Sequence, residues 1–338
     1  MDLHTTRDQD EIVEAVRDYL SRELPADRAP HLTETALSPA QWRGLAEMGW
    51  LSLGLPEAGG GLGLSAVEEA LVLREFGRSL VPPQALATML AAHLAAALGD
   101  GALLSAFGGG EARAAIAVPV SLAAEGASAG AYRLVDTDRA DVAVGWSQAG
   151  AFLAPLTAFT GLAVAPPLDA TLEISTAQGL DVAQALWLGH KDGAFRARAS
   201  LMIAAVLTGG AEAVRDLSAE YAKVRHQFGQ PIGRFQAIAH ACAEMAVRAE
   251  SALACLFYAA VCVRDDLPER DLYCASARSV AFHASYLNAK ASMQVHGGYG
   301  QTYEYLPHFY LKRAMILGQA GGGVEADEAL VLSAPALM

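Results

Sequence analysis

Two short segments carry most of the chemistry legible in this chain. The first is Arg225-His226-Gln227-Phe228-Gly229-Gln230-Pro231-Ile232-Gly233-Arg234-Phe235-Gln236. Arg225 closes a long helix and offers a planar, permanently charged fork suited to clamping an anionic ligand. Gly229 permits the turn that follows, and Phe228 is expected to anchor that turn against apolar surface. The second segment is Gln294-Val295-His296-Gly297-Gly298-Tyr299-Gly300. Its glycines let a ligand approach backbone N–H groups, and the Gln294 amide can donate to a phosphate or carbonyl oxygen. Taken singly, each segment serves equally as a helix end followed by a packing turn.

The elements that must position these segments follow from apolar spacing. Four long helices are predicted, over about 197–223, 235–265, 272–296 and 306–317, and small and apolar residues fill most of each. Such stripes are buried by a four-helix bundle, with any remainder suited to subunit contacts. Residues 1–112 read as a separate helical domain. Ile12, Val13, Val16, Leu20 and Leu24 form a stripe that ends before Pro25. Ser38-Pro39-Ala40-Gln41 is a helix start with a capping box, and Gly49 stops that helix. Further helices are expected over 65–76 and 85–98.

Between them, residues 113–190 hold strand-like pieces at 115–118, 132–135, 142–144, 151–153, 163–164 and 172–174, separated by Gly, Pro and Asp. With no helices between these pieces, a small antiparallel sheet is expected rather than β–α–β units. No G-x-G-x-x-G signature follows a strand, so a Rossmann domain lacks its sequence support. The fold class is therefore α+β: an N-terminal helical domain (1–112), a reduced middle β domain (113–190), a C-terminal helical bundle (195–323) and a tail (324–338).

Composition narrows the function. Lys and Arg total 24 against 37 Asp and Glu, a formal net charge of −13, and no concentrated basic face is present, so nucleic-acid binding is not expected. Cys242, Cys255, Cys262 and Cys274 lack metal-type spacing and fit a reduced cytoplasmic chain. The N-terminal residues carry early acids without an apolar signal core, and no clean lipid-spanning run appears, so no membrane span is expected.

Together, in their spacing, the two segments closely resemble the acyl-CoA dehydrogenase family. Trp42, Leu45, Gly49-Trp50, Leu55-Pro56-Glu57, Gly60-Gly61-Leu62-Gly63 and Glu75-Phe76-Gly77-Arg78 before Pro82 continue the likeness. It covers both helical parts well and the middle sheet poorly. The resemblance implies a flavoenzyme that oxidises the Cα–Cβ bond of an acyl-CoA, with a Glu base removing the α proton and FAD accepting the β hydride. It also implies an FAD that lies across a dimer interface, its ring held by the middle domain of one chain and its ADP end by the neighbour's bundle. By this likeness Arg225 and Gln294 contact the FAD diphosphate region. Phe228 and Gln236 line the adenine or ribitol side, and Gly297 and Gly298 allow close backbone approach.

The departures from the family pattern are specific. Most members carry the base after the Gly-Gly-Tyr-Gly turn, and an ungapped count places Gly321 there. A smaller group carries it early in the first bundle helix, where counting back from Arg225 reaches Ala199. Neither side chain can take a proton, and abstraction needs a positioned base. Glu325 is the nearest displaced alternative, and Glu304 reads as structural. Glu212 lies roughly 20 Å along the helix from Ala199. His296 and His308 read as satisfied core or interface histidines, while His226 has the better claim to cofactor phosphate. The family's Thr-Glu-Pro, Gly-Ser-rich ring-binding element is replaced by Val118-Pro119-Val120-Ser121-Leu122-Ala123-Ala124-Glu125-Gly126.

A kept ADP half-site beside a degenerate ring half-site implies a heteromer. A catalytic acyl-CoA dehydrogenase subunit supplies the Glu and the ring pocket, and the expected assembly is an α2β2 heterotetramer with two flavins. The pattern is similar to base-lacking partners in bacterial steroid-degrading acyl-CoA dehydrogenases, which implies a steroid side-chain CoA thioester as substrate. The electron acceptor is unassigned. Two other readings stay open: a self-sufficient enzyme using a displaced carboxylate such as Glu325, and a cofactor-free structural or regulatory subunit.

Overall fold

Capping chemistry starts the first helices of the computed structural model, which describes residues 4–120, 130–166, 169–189 and 193–334. Thr6, Ser38 and Ser65 each form a reciprocal box with the side chain three residues on, starting α1 (Arg7–Glu23), α2 (Pro39–Glu47) and α3 (Ala66–Arg78). The box at Ser38 is the one the sequence predicts, with Pro39 in the first turn. Helix α4 (Pro83–Leu98) is buried along most of its length. A short α5 (Gly101–Gly108), absent from the expected helices, begins where the Asp100 carboxylate accepts from the Leu103 N–H at 3.0 Å.

The middle region is a seven-stranded sheet in the order β6-β7-β2-β1-β3-β4-β9. Its strands are β1 (Ala114–Pro119), β2 (Tyr132–Val135), β3 (Val142–Ser147), β4 (Gly150–Pro155), β6 (Ala163–Ala165), β7 (Ile174–Ala177) and β9 (Leu186–Gly189). A small pair, β5 (Phe159–Thr160) and β8 (Gly179–Leu180), lies beside it. The expected all-antiparallel pattern fails at one seam, where β1 and β3 are parallel. The chain returns through β2, which pairs antiparallel on the far side of β1, so no crossover helix is needed. The predicted piece at 172–174 forms as β7, displaced towards the C-terminus.

Alternation gives this sheet two apolar faces. Ala114, Ile116, Val144, Trp146 and Leu153 join the main core with the helices. Ala115, Ala117, Leu134, Ala143 and Phe152 form a second core with Phe159 and Leu180.

Helix α6 (Ala194–Val224) runs through the main core and leads into the hairpin β10 (His226–Gln227) and β11 (Gln230–Pro231). Helices α7 (Gln236–Arg264), α8 (Arg270–His296) and α9 (Pro307–Leu317) complete the four predicted helices. Residues 324–338, expected to be a tail, hold a further helix, α10 (Val324–Ser333). It is held by an ion pair between Asp327 and the buried Arg278 of α8 at 3.0 Å. Both α6 and α7 are long and apolar enough to cross a membrane. The apolar stretch of α6 is 89% buried inside the protein, that of α7 only 39%.

Candidate cofactor half-site

At one end of the bundle, the C-terminus of α6, the β10–β11 hairpin, the start of α7 and the end of α8 enclose an open cleft of about 580 Å³. Arg225 is the residue on which α6 ends; its N–H donates to the Tyr221 carbonyl at 2.9 Å, and its own carbonyl accepts from the Ile232 N–H at 2.8 Å. These bonds turn the chain into a hairpin whose two loop residues, Phe228 and Gly229, both have positive φ (53° and 78°). That twist suits a tight hairpin, but a bulky aromatic rarely takes this conformation.

Phe228 does not anchor the turn as expected. It is 92% exposed and meets Phe235 edge-on at 6.0 Å. The ring lines the cleft but stands mostly in solvent. Arg225 is half-buried, its guanidinium 5.6 Å from the centroid of the Tyr299 ring. Among the described residues it has no carboxylate partner.

Opposite the hairpin, α8 ends at Gly297, whose φ of 61° and ψ of −138° suit only glycine. A Cβ on Gly297 or Gly298 would meet nothing within 4 Å, so the backbone there is open to approach. Of the predicted site residues, Arg225, Phe228, Gly297 and Gly298 line the cleft. Gln294 and Gln236 are exposed and do not line the cleft, although their chain neighbours Val295 and Phe235 do.

Sequence reasoning missed the aromatic floor. Tyr221 stacks on His296 at 4.2 Å, and Tyr305 closes on both rings. Nδ1–H of His296 donates to the Ser292 carbonyl at 2.8 Å, which leaves Nε2 buried without a partner among the described residues. Burial pushes this imidazole below its ordinary pKa, so its neutral form is favoured. His296 is thus half-satisfied, not the fully satisfied core histidine expected. His308, also buried, packs against the Tyr303 and Phe309 rings. The spacing of Tyr221, one helical turn before Arg225, was the available signal for the floor. With a free cation, flat aromatic faces and open glycine backbone, the cleft can hold an anionic ligand that carries a planar ring.

The base positions lie in a different environment. Gly321 is buried with φ of +62°, and a Cβ there would overlap the indole Nε1 of Trp146 and stand 2.6 and 2.7 Å from Cδ1 and Cε2. Ala199 is fully buried in the main core. Beside it, Arg198 pairs with the buried Glu69, which His93 also contacts at 2.5 Å. Glu325 and Glu304 are exposed, and His226 is exposed with Nδ1 3.0 Å from the Val224 carbonyl. Glu212 is engaged by Arg74 through two bonds of 2.6 and 2.7 Å. Of the altered ring-binding segment, 118–120 end β1 and its approach, while 121–126 lie outside the described residues.

Comparison with known proteins bears on the family and the fold. Residues 6–118 match the acyl-CoA dehydrogenase N-terminal domain, and residues 196–332 the C-terminal domain. Acyl-CoA dehydrogenase IpdE2 of Mycobacterium tuberculosis is 33% identical over 294 residues, covering 86% of this chain and 84% of the relative. FadE34 of the same organism is 33% identical over 310 residues, covering 83% of this chain; the chain spans only 40% of that relative's length. Among solved structures, the ChsE4–ChsE5 complex from M. tuberculosis superposes with a TM-score of 0.82 at 24% identity, over 99% of this chain and 100% of that one. The Tcur3481–Tcur3483 steroid ACAD gives 0.81 at 25% identity, over 96% of each chain. Helical domain, middle sheet and helical bundle thus recur together, and this chain belongs to the FAD-dependent acyl-CoA dehydrogenase family.

Proposed function

We propose that this chain is the subunit without a base in a heteromeric acyl-CoA dehydrogenase, lending its bundle cleft to a partner's active site. One observation carries the reading: an open cleft around an unpaired Arg225 coexists with base positions held by Gly321 and Ala199. FAD, when bound, supplies the hydride acceptor. In this reading Arg225 and Gln294 hold its diphosphate, the glycine backbone at 297 and 298 lies against it, and Phe228 and Gln236 flank the adenine or ribitol side. The partner subunit brings the Glu and the ring pocket, in an α2β2 heterotetramer with two flavins. Two neighbours support a partner and a substrate class: one is a complex of two proteins, the other a steroid ACAD. The substrate proposed is accordingly a steroid side-chain CoA thioester. The four free thiols support a reducing, cytoplasmic setting.

The test is flavin stoichiometry against oligomer mass, for the isolated chain and for the assembled complex. The expected result is a flavin-poor isolated chain and two FAD per active heterotetramer. One tightly held FAD per chain in a homo-oligomer overturns the proposal. Within the complex, Arg225→Ala is expected to weaken flavin retention about 10- to 100-fold, the range for losing charge-assisted hydrogen bonds. A strong preference of the complex for straight-chain acyl-CoAs would remove the steroid assignment alone.

A further inference from the structure

We infer that Trp146 closes this chain's own acyl site, so that the space beside the vacant base position is filled by protein. The inference rests on the half-site reading above and says what happened to the other half. Trp146 lies near the end of β3, is 2% exposed, and meets Phe195 in the first turn of α6 edge-on at 6.4 Å. Its Nε1 faces Gly321 and has no acceptor among the described residues. The cavity left between Trp146, Gly150, Ala151, Leu188, Phe195 and Arg196 measures about 20 Å³. That is room for about one water, whereas small-molecule pockets run to roughly 300 Å³ or more.

The turn that carries Gly321 is also clamped from behind. Arg278, 1% exposed, donates to the Ala320 carbonyl at 2.5 Å and to the Leu317 and Gly318 carbonyls at 3.4 Å. Its second terminal nitrogen pairs with Asp327. The indole therefore presses on a turn that cannot easily withdraw. Glycine at 321 is both the missing base and the condition for Trp146 to sit where it does. Restoring a carboxylate at 321 by itself would not restore a site.

Two measurements on the full-length isolated chain test this. The first is a double-variant cycle. Gly321→Ala is expected to lower Tm by about 5 °C or more; the positive φ at 321 costs any side chain roughly 1 °C of that in either background, and the total is expected to fall below half when Trp146→Ala is already present. If Gly321→Ala alone yields no folded protein, recovery in the double variant is the same result. An equal cost in both backgrounds, or no recovery, overturns the inference. The second is equilibrium dialysis with a medium-chain acyl-CoA thioether. With excess ADP present to occupy the bundle cleft, the wild-type chain is expected to take up less than about a tenth of an equivalent, and one equivalent per chain under these conditions overturns the inference. The half-site reading fails separately, when Arg225→Ala leaves flavin retention in the complex unchanged.

Discussion

The two ends of α6 are roughly 45 Å apart by helical rise, and they have opposite characters. At the C-terminal end a guanidinium lies over an aromatic ring without a carboxylate, a phenylalanine stands in solvent, and glycine backbone is bare. At the N-terminal end the side chains are locked together. Arg198 and His93 share the Glu69 carboxylate, Arg196 pairs with Asp271 at 3.2 Å, and Phe195 packs on Trp146. One end is open and exposes apolar surface, and the other is packed as core. Filled space adds packing contacts that a pocket would not have.

If the closed end is structural, breaking it should cost stability without touching the cleft. Glu69→Gln leaves the half-buried Arg198 guanidinium and the His93 ring facing a neutral amide and is expected to destabilise the chain by about 3 kcal/mol in denaturant unfolding at neutral pH. Flavin retained per folded complex should not change. A parallel fall in both would show the two ends to be coupled and break the comparison.

The pH response sharpens it. His93 and Arg198 outweigh burial and hold the Glu69 carboxyl down at about 2, against an ordinary 4.5. Its contribution is complete above pH 4.5 and lost as pH falls towards 2. Asp136, at the seam between sheet and α4, has the opposite sign. Burial outweighs the nearby Arg313 and raises its carboxyl from 3.8 to about 7, although it accepts from the Gln84 and Glu173 N–H groups. The stability it contributes is full below pH 3.8 and declines as pH rises through 7. Asp136→Asn should flatten the stability profile between those limits, and an unchanged slope would refute the assignment.

At the open end, Arg225→Lys keeps the charge and loses the planar fork. A flavin retained about tenfold less well than in wild type is expected, intermediate between wild type and Arg225→Ala. Retention equal to wild type would reduce Arg225 to a point charge, and the comparison would then rest on electrostatics alone.

The open end was the more legible in the sequence, and the reason is distance along the chain. The α6 terminus at Arg225 and the turn at Gly229 are decided by residues a few positions apart, as is the Ser38 box that starts α2. The closed end is built from partners far apart in sequence. Trp146 meets Gly321 across 175 positions, and Arg198 meets Glu69 across 129. A chain read locally shows that Gly321 and Ala199 are not carboxylates, but not what fills the space. The parallel pairing of β1 with β3 was hidden for the same reason, since β2 returns on the far side of β1. Phe228 misled differently. Its apolar side chain suggested an anchor, whereas the hairpin twist decides where it points.

That residue gives the smallest prediction. Phe228 holds a left-handed backbone that costs a side chain about 1 kcal/mol, and at 92% exposure it recovers little by burial in the free chain. Asn followed by Gly is the pair this hairpin turn prefers. Phe228→Asn should therefore stabilise the isolated chain by about 0.5–1 kcal/mol, or roughly 1 °C in Tm for a chain of this length. In the assembled complex the same substitution should weaken flavin retention. Strain carried by the free chain and relieved only when a ligand or partner covers the ring is what an open half-site predicts. A fall in stability of the isolated chain would mean that Phe228 already packs, and the contrast between the two ends of α6 would narrow to Arg225.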